Sequence, residues 1–188
     1  RSLPLQHIIL VADDSHGLGI TGPQGGGAYK TLRELRPKDL VVCGSLGKGF
    51  GIQAGVVFGS RSLINALAET DMVIASSPAA PATLATFLQA QQLYAEKRRA
   101  LLHHITTFTA AIHPLSRFRY IENYPAFSYA DETLSAHLLR HNIITTHFKY
   151  PNENAGTVSR IVLSAHHTGA DMLQLITAVN SHPTKPLH

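Results

Sequence analysis

Apolar residues in the first half of the chain are grouped into short runs that glycine-rich and polar segments separate. Three runs rich in Val, Ile and Leu cover residues 5–12, 39–44 and 54–59. Such runs are typical of strands buried in a sheet, and the polar residues that follow the first run are in the position where open α/β sheets bind ligands. The pattern therefore predicts an α/β unit with a candidate site at one edge of its sheet.

Farther along, apolar residues recur at helical spacing over residues 82–112. Leu101, Ile105, Phe108 and Ile112 are the clearest members of this series, and a His-Pro pair follows it. We expect one helix over this whole stretch, because no Gly or Pro interrupts it after its start.

Beyond that helix the chain alternates between shorter predicted strands and helices, with helices over residues 134–141 and 170–180. This texture predicts a small α+β lobe. We therefore expect two domains, residues 1–98 with the start of a bridging helix, and residues 99–188.

The amino-acid composition narrows the classes of protein to which this chain can belong. The 188 residues are 44% apolar and 15% charged, which is ordinary for a globular chain. The net charge of +4 is not concentrated into a basic stripe, so we expect no nucleic-acid partner. No apolar run approaches the length of a membrane span, and the single cysteine, Cys43, cannot form a disulfide within the chain. For these two reasons we expect a cytoplasmic protein. Because the sequence opens on Arg1 rather than Met, we expect it to be part of a longer polypeptide.

Two phosphate-binding motifs are excluded by their context. Residues 17–22 match G-x-G-x-x-G, but Pro23 and three glycines follow, and these residues cannot open the helix that the dinucleotide-binding motif requires. A P-loop would need a glycine where Val42 stands and Ser or Thr where Gly49 stands.

Lys48 is the most distinctive candidate for chemistry. It lies among Gly44, Gly47, Gly49 and Gly51, directly after the second apolar run. A solvated turn lysine is the ordinary alternative, but glycines allow a ligand to approach closely, and a lysine amine can attack a carbonyl.

Asp13 and His16, at the end of the first apolar run, offer the complementary chemistry. An aspartate there can face a protonated pyridine nitrogen. Asp13, Asp14 and His16 could also ligate a metal, but nothing nearby completes such a site, and we expect none.

The paired motifs DDSHGLG at residues 13–19 and SLGKGFG at residues 45–51, with Gly22 and Gly25 between them, resemble the α-oxoamine synthases. These are fold-type I enzymes that depend on pyridoxal 5'-phosphate (PLP). The resemblance continues through residues 76–81 and the long helix.

The resemblance covers the C-terminal half of a family member. It implies an α/β chain that comprises the remainder of a mixed, mostly parallel large-domain sheet and a small α+β C-terminal domain. In the family the N-terminal half supplies the aromatic residue that stacks on PLP and much of a homodimer interface, so the fragment alone is expected to be inactive.

The resemblance also implies roles for individual residues. Lys48 would carry the cofactor as a Schiff base and act as the base at the substrate α-carbon. Asp13 would pair with the pyridine nitrogen, and His16 would contact the phenolic oxygen. Ser45 would bind the phosphate, and Ser77 would bind the phosphate of a partner subunit.

The implied reaction joins an amino acid to an acyl-CoA. An aminotransferase of the same fold and a catalytically incompetent fragment are the alternatives.

The chain departs from the family pattern at the residue that binds the substrate carboxylate. The family often has an arginine followed by prolines where this chain has THFKYP at residues 146–151. Lys149 is the nearest substitute, and Arg160 is a second candidate for binding substrate.

Overall fold

The computed structural model describes residues 3–183. The chain divides into two compact units, Arg1–Arg98 and Arg99–His188. The boundary falls inside a helix that spans Gln91–Ala111.

The first unit has a three-stranded sheet in the order β1-β2-β3. β1 and β2 are parallel, with Asp13 in register with Cys43, whereas β2 and β3 are antiparallel. The sheet is therefore mixed. Its strands are β1 (Ile9–Asp13), β2 (Asp39–Ser45) and β3 (Gly55–Phe58). Its helices are α1 (Tyr29–Glu34), α2 (Leu46–Gly49), α3 (Arg61–Ala68), α4 (Asp71–Ile74), α5 (Pro81–Gln89) and the start of α6 (Gln91–Ala111).

The second unit is an α+β lobe with a four-stranded antiparallel sheet in the order β4-β5-β7-β6. Its core centres on Phe108 and Phe127, which are fully buried with ring centroids 4.7 Å apart. Its strands are β4 (Arg119–Tyr120), β5 (Ala126–Ser128), β6 (Thr146–Lys149) and β7 (Thr157–Val162). Its helices after α6 are α7 (Glu132–Arg140) and α8 (Gly169–Ser181).

The prediction of a single helix over residues 82–112 is wrong in one respect. The first helix ends at Gln89 and α6 begins at Gln91, because Ala90 has ψ 11° rather than a helical value. The rings of Phe87 and Tyr94, on either side of this break, both pack against Phe50. Tertiary packing thus coincides with a break that no Gly or Pro marks.

The prediction that β1 is buried is also wrong. The strand begins at Ile9, after a 3-10 turn at Leu5–His7, and alternate side chains along it are exposed. Ile9 is 54% exposed and Val11 is 66% exposed. By contrast, β2 is buried at Leu40, Val41 and Val42, as the apolar run predicts. The prediction of burial is wrong for β3 as well, where Val57 and Phe58 are exposed.

Candidate active site

The parallel pairing of β1 with β2 brings their carboxyl ends to the same edge of the sheet. The N–H of Asp14 donates to the carbonyl of Cys43 at 2.8 Å, which extends the pairing past the end of β1. Asp13 therefore lies beside the last residues of β2, where Ser45 leads into the lysine turn.

Lys48 lies in the single-turn helix α2, which Ser45 precedes as the N-cap. The Ser45 Oγ accepts a hydrogen bond from the N–H of Gly47 at 3.1 Å. Leu46 is buried, and its N–H donates to the carbonyl of Ala54 at 2.9 Å, so the turn is closed onto the start of β3. Lys48 itself is exposed.

The glycines of the turn allow it to pack against the glycine-rich loop that follows β1. A Cβ at Gly49 would collide with the carbonyl oxygen of Leu18, and one at Gly44 would lie 2.6 Å from the Leu18 side chain. Leu18 is itself buried in a small core with Leu46 and Ile52. The bare backbone at these two glycines is therefore what lets the two loops approach each other.

This packing joins Lys48 and His16, which are 32 residues apart in sequence. The Lys48 Nζ lies 2.9 Å from the His16 Nε2. An ammonium group has only donors, so in the protonated lysine Nζ donates and Nε2 accepts. Both side chains are exposed and so accessible to a ligand.

The carboxylate of Asp13 is held in its ionised form. The pKa of Asp13 lies below its ordinary value, first because of a hydrogen bond from the Ser15 side chain and next because of one from the Ser15 N–H at 2.8 Å. The charges of Lys48 and His16 act in the same direction, while desolvation opposes them. A carboxylate in this state suits a cationic ring nitrogen.

Asp14 organises the loop over residues 17–28. Its Oδ2 accepts from the N–H of Ala28 at 2.7 Å, and a Cβ at either Gly17 or Gly27 would collide with its carboxylate. The sequence suggested Asp14 only as a possible metal ligand. Within residues 3–183, no group of three His, Cys, Asp or Glu side chains is arranged to hold a metal ion.

An aromatic cluster packs against Phe50, the residue that ends the lysine turn. Phe50 packs edge-on against Phe87 at 5.1 Å and against Tyr94 at 5.0 Å, and the Tyr94 hydroxyl donates to the Phe50 carbonyl at 3.2 Å. Sequence reasoning missed this support, because Phe50 lies 37 residues before Phe87 in the chain. Their helical spacing, seven positions from Phe87 to Tyr94, was the available signal.

The remaining candidates lie elsewhere in the chain. Ser77 is exposed in the connection between α4 and α5 and takes no part in the hydrogen bonds described above. Lys149 and Arg160 lie on the neighbouring strands β6 and β7 of the second unit. The Nε of Arg160 is buried and has no hydrogen-bond partner among the residues that the structure describes.

Lys149 and Arg160 are on opposite faces of their sheet. Lys149 is in register with Thr157, and Arg160 is three positions farther along the same strand. Because cross-strand partners share a face and successive side chains alternate, Arg160 points to the face opposite Lys149. The two cations therefore cannot clamp one carboxylate together.

Comparison with known proteins identifies the family. Residues 3–179 match the family model described as "Aminotransferase class I and II". The chain is 30% identical over 183 residues to an 8-amino-7-oxononanoate synthase of Burkholderia ambifaria, covering 90% of this chain and 41% of the relative. A protein of the same name from Marinobacter nauticus is also 30% identical, with coverage of 91% and 46%.

Solved structures show the same fold. A serine palmitoyltransferase from S. paucimobilis with a bound PLP–myriocin aldimine superposes with a TM-score of 0.71 at 21% identity, over 92% of this chain and 46% of that one. An 8-amino-7-oxononanoate synthase from Francisella tularensis gives 0.66 at 20% identity, over 90% and 53%. The chain thus spans about half the length of the proteins it matches, as the C-terminal part of such a fold would.

The family model covers nearly the whole chain, and these relatives and structures agree with the resemblance found in the two motifs. The predictions of fold class and of PLP as the family's cofactor are thereby confirmed. The chain belongs to the aminotransferase class I and II family of PLP-dependent enzymes.

Proposed function

We propose that this chain carries the lysine-bearing part of a PLP-dependent acyltransferase of the α-oxoamine synthase type. The substrates are an amino acid and an acyl-CoA. The acyl carbon bonds to the amino-acid α-carbon, the thioester C–S bond breaks to release CoA, and the amino-acid carboxylate leaves as carbon dioxide. The observation that carries the proposal is the contact of Lys48 with His16 at the sheet edge that also presents Asp13.

The side chains at this edge match the functional groups of PLP. Lys48 supplies a primary amine for the aldehyde, and Asp13 supplies an ionised carboxylate for the pyridine nitrogen. Because the Ser45 Oγ already accepts from the Gly47 N–H, its own proton is available to a phosphate oxygen. His16 supplies a nitrogen donor or acceptor for the phenolic oxygen. When bound there, PLP withdraws electrons from the amino-acid α-carbon.

The chain's own residues then have distinct tasks. Lys48 removes the proton from the α-carbon and returns one after carbon dioxide has left. His16, 2.9 Å from Nζ, orients the Lys48 amine. The negative charge of Asp13 stabilises the protonated form of the pyridine nitrogen, and Ser45 donates a hydrogen bond to the phosphate group of the cofactor.

For the substrate carboxylate we propose Arg160 rather than Lys149. The Arg160 Nε is buried without a hydrogen-bond partner among residues 3–183, and an anion would satisfy it. A guanidinium also binds a carboxylate through two parallel hydrogen bonds, which an ammonium cannot do. Lys149 lies on the other face of the sheet, so in this proposal it does not bind the substrate carboxylate.

The remaining features of the proposal concern the wider protein. Residues 1–98 form the remainder of the PLP-binding large domain, and residues 99–188 form the small C-terminal domain. The working enzyme is a cytoplasmic homodimer, in which Ser77 binds the phosphate of the partner's site. The 188 residues alone retain PLP weakly and are inactive, in keeping with the exposure of Lys48 and with relatives about twice as long. Among residues 3–183, no helix is long and apolar enough to cross a membrane.

Product analysis tests the proposed reaction. The complete natural polypeptide that contains these residues is incubated with PLP, an acyl-CoA and glycine, alanine or serine, and the free thiol of CoA is measured. We expect thiol release, reduced at least about 10²-fold in Lys48→Ala because its base is lost, and unchanged in Lys30→Ala. Amino transfer to a 2-oxo acid without thiol release would instead establish an aminotransferase. The absence of both reactions would indicate a catalytically incompetent chain.

A further inference from the structure

Arg98 binds the loop over residues 17–28, which begins directly after His16, yet none of the roles above uses this arginine. Its Nε donates to the carbonyl of Ile20 at 2.8 Å, and its Nη2 donates to the carbonyl of Gly22 at 3.3 Å. A guanidinium presents its donors in one rigid plane, so a single side chain can bind two neighbouring carbonyls. Arg98 thus ties α6 to a loop that lies more than seventy residues earlier in the chain.

The stem of Arg98 packs closely against the same loop. A Cβ at Gly25 would lie 3.1 Å from the Arg98 Cδ, which is tighter than an ordinary van der Waals contact. The carbonyl of Gly25 accepts from the N–H of Gly19 at 2.8 Å, and the N–H of Gly27 donates to the carbonyl of Thr21 at 2.9 Å. Arg98 therefore contacts a loop whose two sides are hydrogen-bonded together, and it can hold that loop as a whole.

The turn that Arg98 binds is connected to His16 through the backbone. The N–H of Ile20 donates to the carbonyl of Gly17, the residue after His16, at 2.9 Å. A displacement of Ile20 would therefore be transmitted to His16. It would move the His16 ring relative to the Lys48 Nζ, which lies 2.9 Å from the His16 Nε2.

Tyr94, four residues before Arg98 on α6, holds the other half of this contact. Its hydroxyl donates to the carbonyl of Phe50, two residues after Lys48, at 3.2 Å. Residues four apart on a helix lie on the same face, so one face of α6 binds both segments. The two segments that bring Lys48 and His16 together are thereby held by one helix.

We propose that Arg98 is a positioning residue, whose guanidinium fixes the loop over residues 17–28 on α6 so that His16 meets Lys48. The consequence for PLP rests on the proposed function, whereas the contact between His16 and Lys48 exists without the cofactor. Removal of Arg98 should therefore disturb this contact even in the absence of PLP.

The test is nitrogen-15 NMR of the histidine rings in the complete natural polypeptide without PLP. His16→Ala identifies the His16 resonances, and Lys48→Ala gives the position of the Nε2 resonance when the contact is absent. We expect Arg98→Ala to move this resonance from the wild-type position toward that of Lys48→Ala. Arg99→Ala, at the exposed neighbour on α6, removes the same charge and should leave the resonance unchanged.

Arg98→Lys is a milder variant, which decides the question if Arg98→Ala does not fold. It keeps the positive charge and most of the stem but lacks the planar fork that binds both carbonyls. We expect a smaller shift of the His16 Nε2 resonance in the same direction as in Lys48→Ala.

PLP affinity, measured by absorbance titration of the same polypeptide, separates positioning from a general loss of stability. His16→Ala should weaken PLP binding about tenfold, and Arg98→Ala should weaken it by no more than that. Because Arg98 acts through His16, the double variant should bind PLP like His16→Ala alone.

Three results would overturn this role of Arg98. One is a His16 Nε2 resonance that keeps its wild-type position in the Arg98 variants or in Lys48→Ala. Another is an equal shift in Arg99→Ala, and the third is an additive loss of PLP affinity in the double variant. Failure of the wild-type polypeptide to bind PLP would instead overturn the proposed function, and the NMR result would still decide whether Arg98 positions His16.

Discussion

The Nζ of Lys48 lies 2.9 Å from the Nε2 of His16, although the two residues follow different strands. Parallel pairing of β1 with β2 places both strand ends at one edge, and the glycines at positions 44 and 49 let the following loops pack together. The contact is thus a product of the fold rather than of local sequence.

Loss of the His16 side chain should weaken cofactor binding. His16→Ala removes the hydrogen bond that we propose between His16 and the phenolic oxygen of PLP, and since such a bond to a charged group is worth about 1.5 kcal/mol, we expect about tenfold weaker binding of PLP. Absorbance titration of the complete natural polypeptide measures the affinity. His103→Ala, at an exposed histidine of α6, is the matched control and should bind like wild type. Equal affinities in the two variants would show that His16 has no part in the site.

Gly49→Ala tests the packing that brings the loops together. The added methyl group would collide with the Leu18 carbonyl, and relief of such overpacking costs about 1–3 kcal/mol. We expect a lower urea midpoint and weaker PLP binding. Gly156→Ala, where a Cβ would meet nothing within 4 Å, should change stability by less than about 0.5 kcal/mol. A Gly49→Ala protein as stable as the control would contradict the close approach.

The sequence predicts the edge of the sheet well, because its apolar runs and the glycines around Lys48 are local signals. Strand burial is harder to predict, since Val11 is as apolar as Val42 but is 66% exposed while Val42 is fully buried. Burial depends on what covers each face, and the run of apolar residues contains no information on that. Likewise, the break at Ala90 lies between two rings that pack against Phe50, which is forty residues earlier in the chain.

Ser15 and Asp14 illustrate a second limit. Both are short polar residues between a strand and a loop, and their types alone indicate only a turn. Their hydrogen bonds to Asp13, Ser45 and Ala28 depend on strand register, which the sequence does not specify.

The core of the second unit should depend on Phe127. Its ring is fully buried against Phe108 and Phe118, so Phe127→Ala should lower the free energy of unfolding by about 3–5 kcal/mol. Phe148→Ala is the matched control, because Phe148 is 51% exposed. Chemical denaturation of both variants checks this, and similar losses would contradict the assignment of the core.

Acid should destabilise the second unit through His182. Its Nδ1 accepts from the Arg117 guanidinium at 2.9 Å, so that nitrogen carries no proton, and its contact with Asp131 at 3.8 Å is not an ion pair in this state. Burial is the main cause that lowers the pKa of His182, whereas Asp131 raises it. The other groups that lower it are Arg117, His137 and Arg140.

The lowered pKa of His182 makes the folded state less stable at acidic pH. A histidine whose pKa is lower in the folded state binds fewer protons there than in the unfolded state, so its stabilisation is present above pH 6.5 and is lost as the pH falls through the folded pKa. We expect the urea midpoint to fall from pH 7.5 to pH 5, with a weaker fall in His182→Asn. His103→Asn should keep the wild-type pH dependence, and the same slope in all three proteins would exclude His182 as the cause.

The central claim is that Lys48 is the lysine that holds the cofactor. The most direct measurement is borohydride reduction of the complete natural polypeptide with PLP, followed by peptide mass spectrometry to locate the covalent adduct. We predict one adduct, on the peptide that contains Lys48, which Lys48→Ala abolishes and Lys30→Ala leaves intact. An adduct on Lys30, Lys38 or Lys97, or one that persists in Lys48→Ala, would contradict the claim.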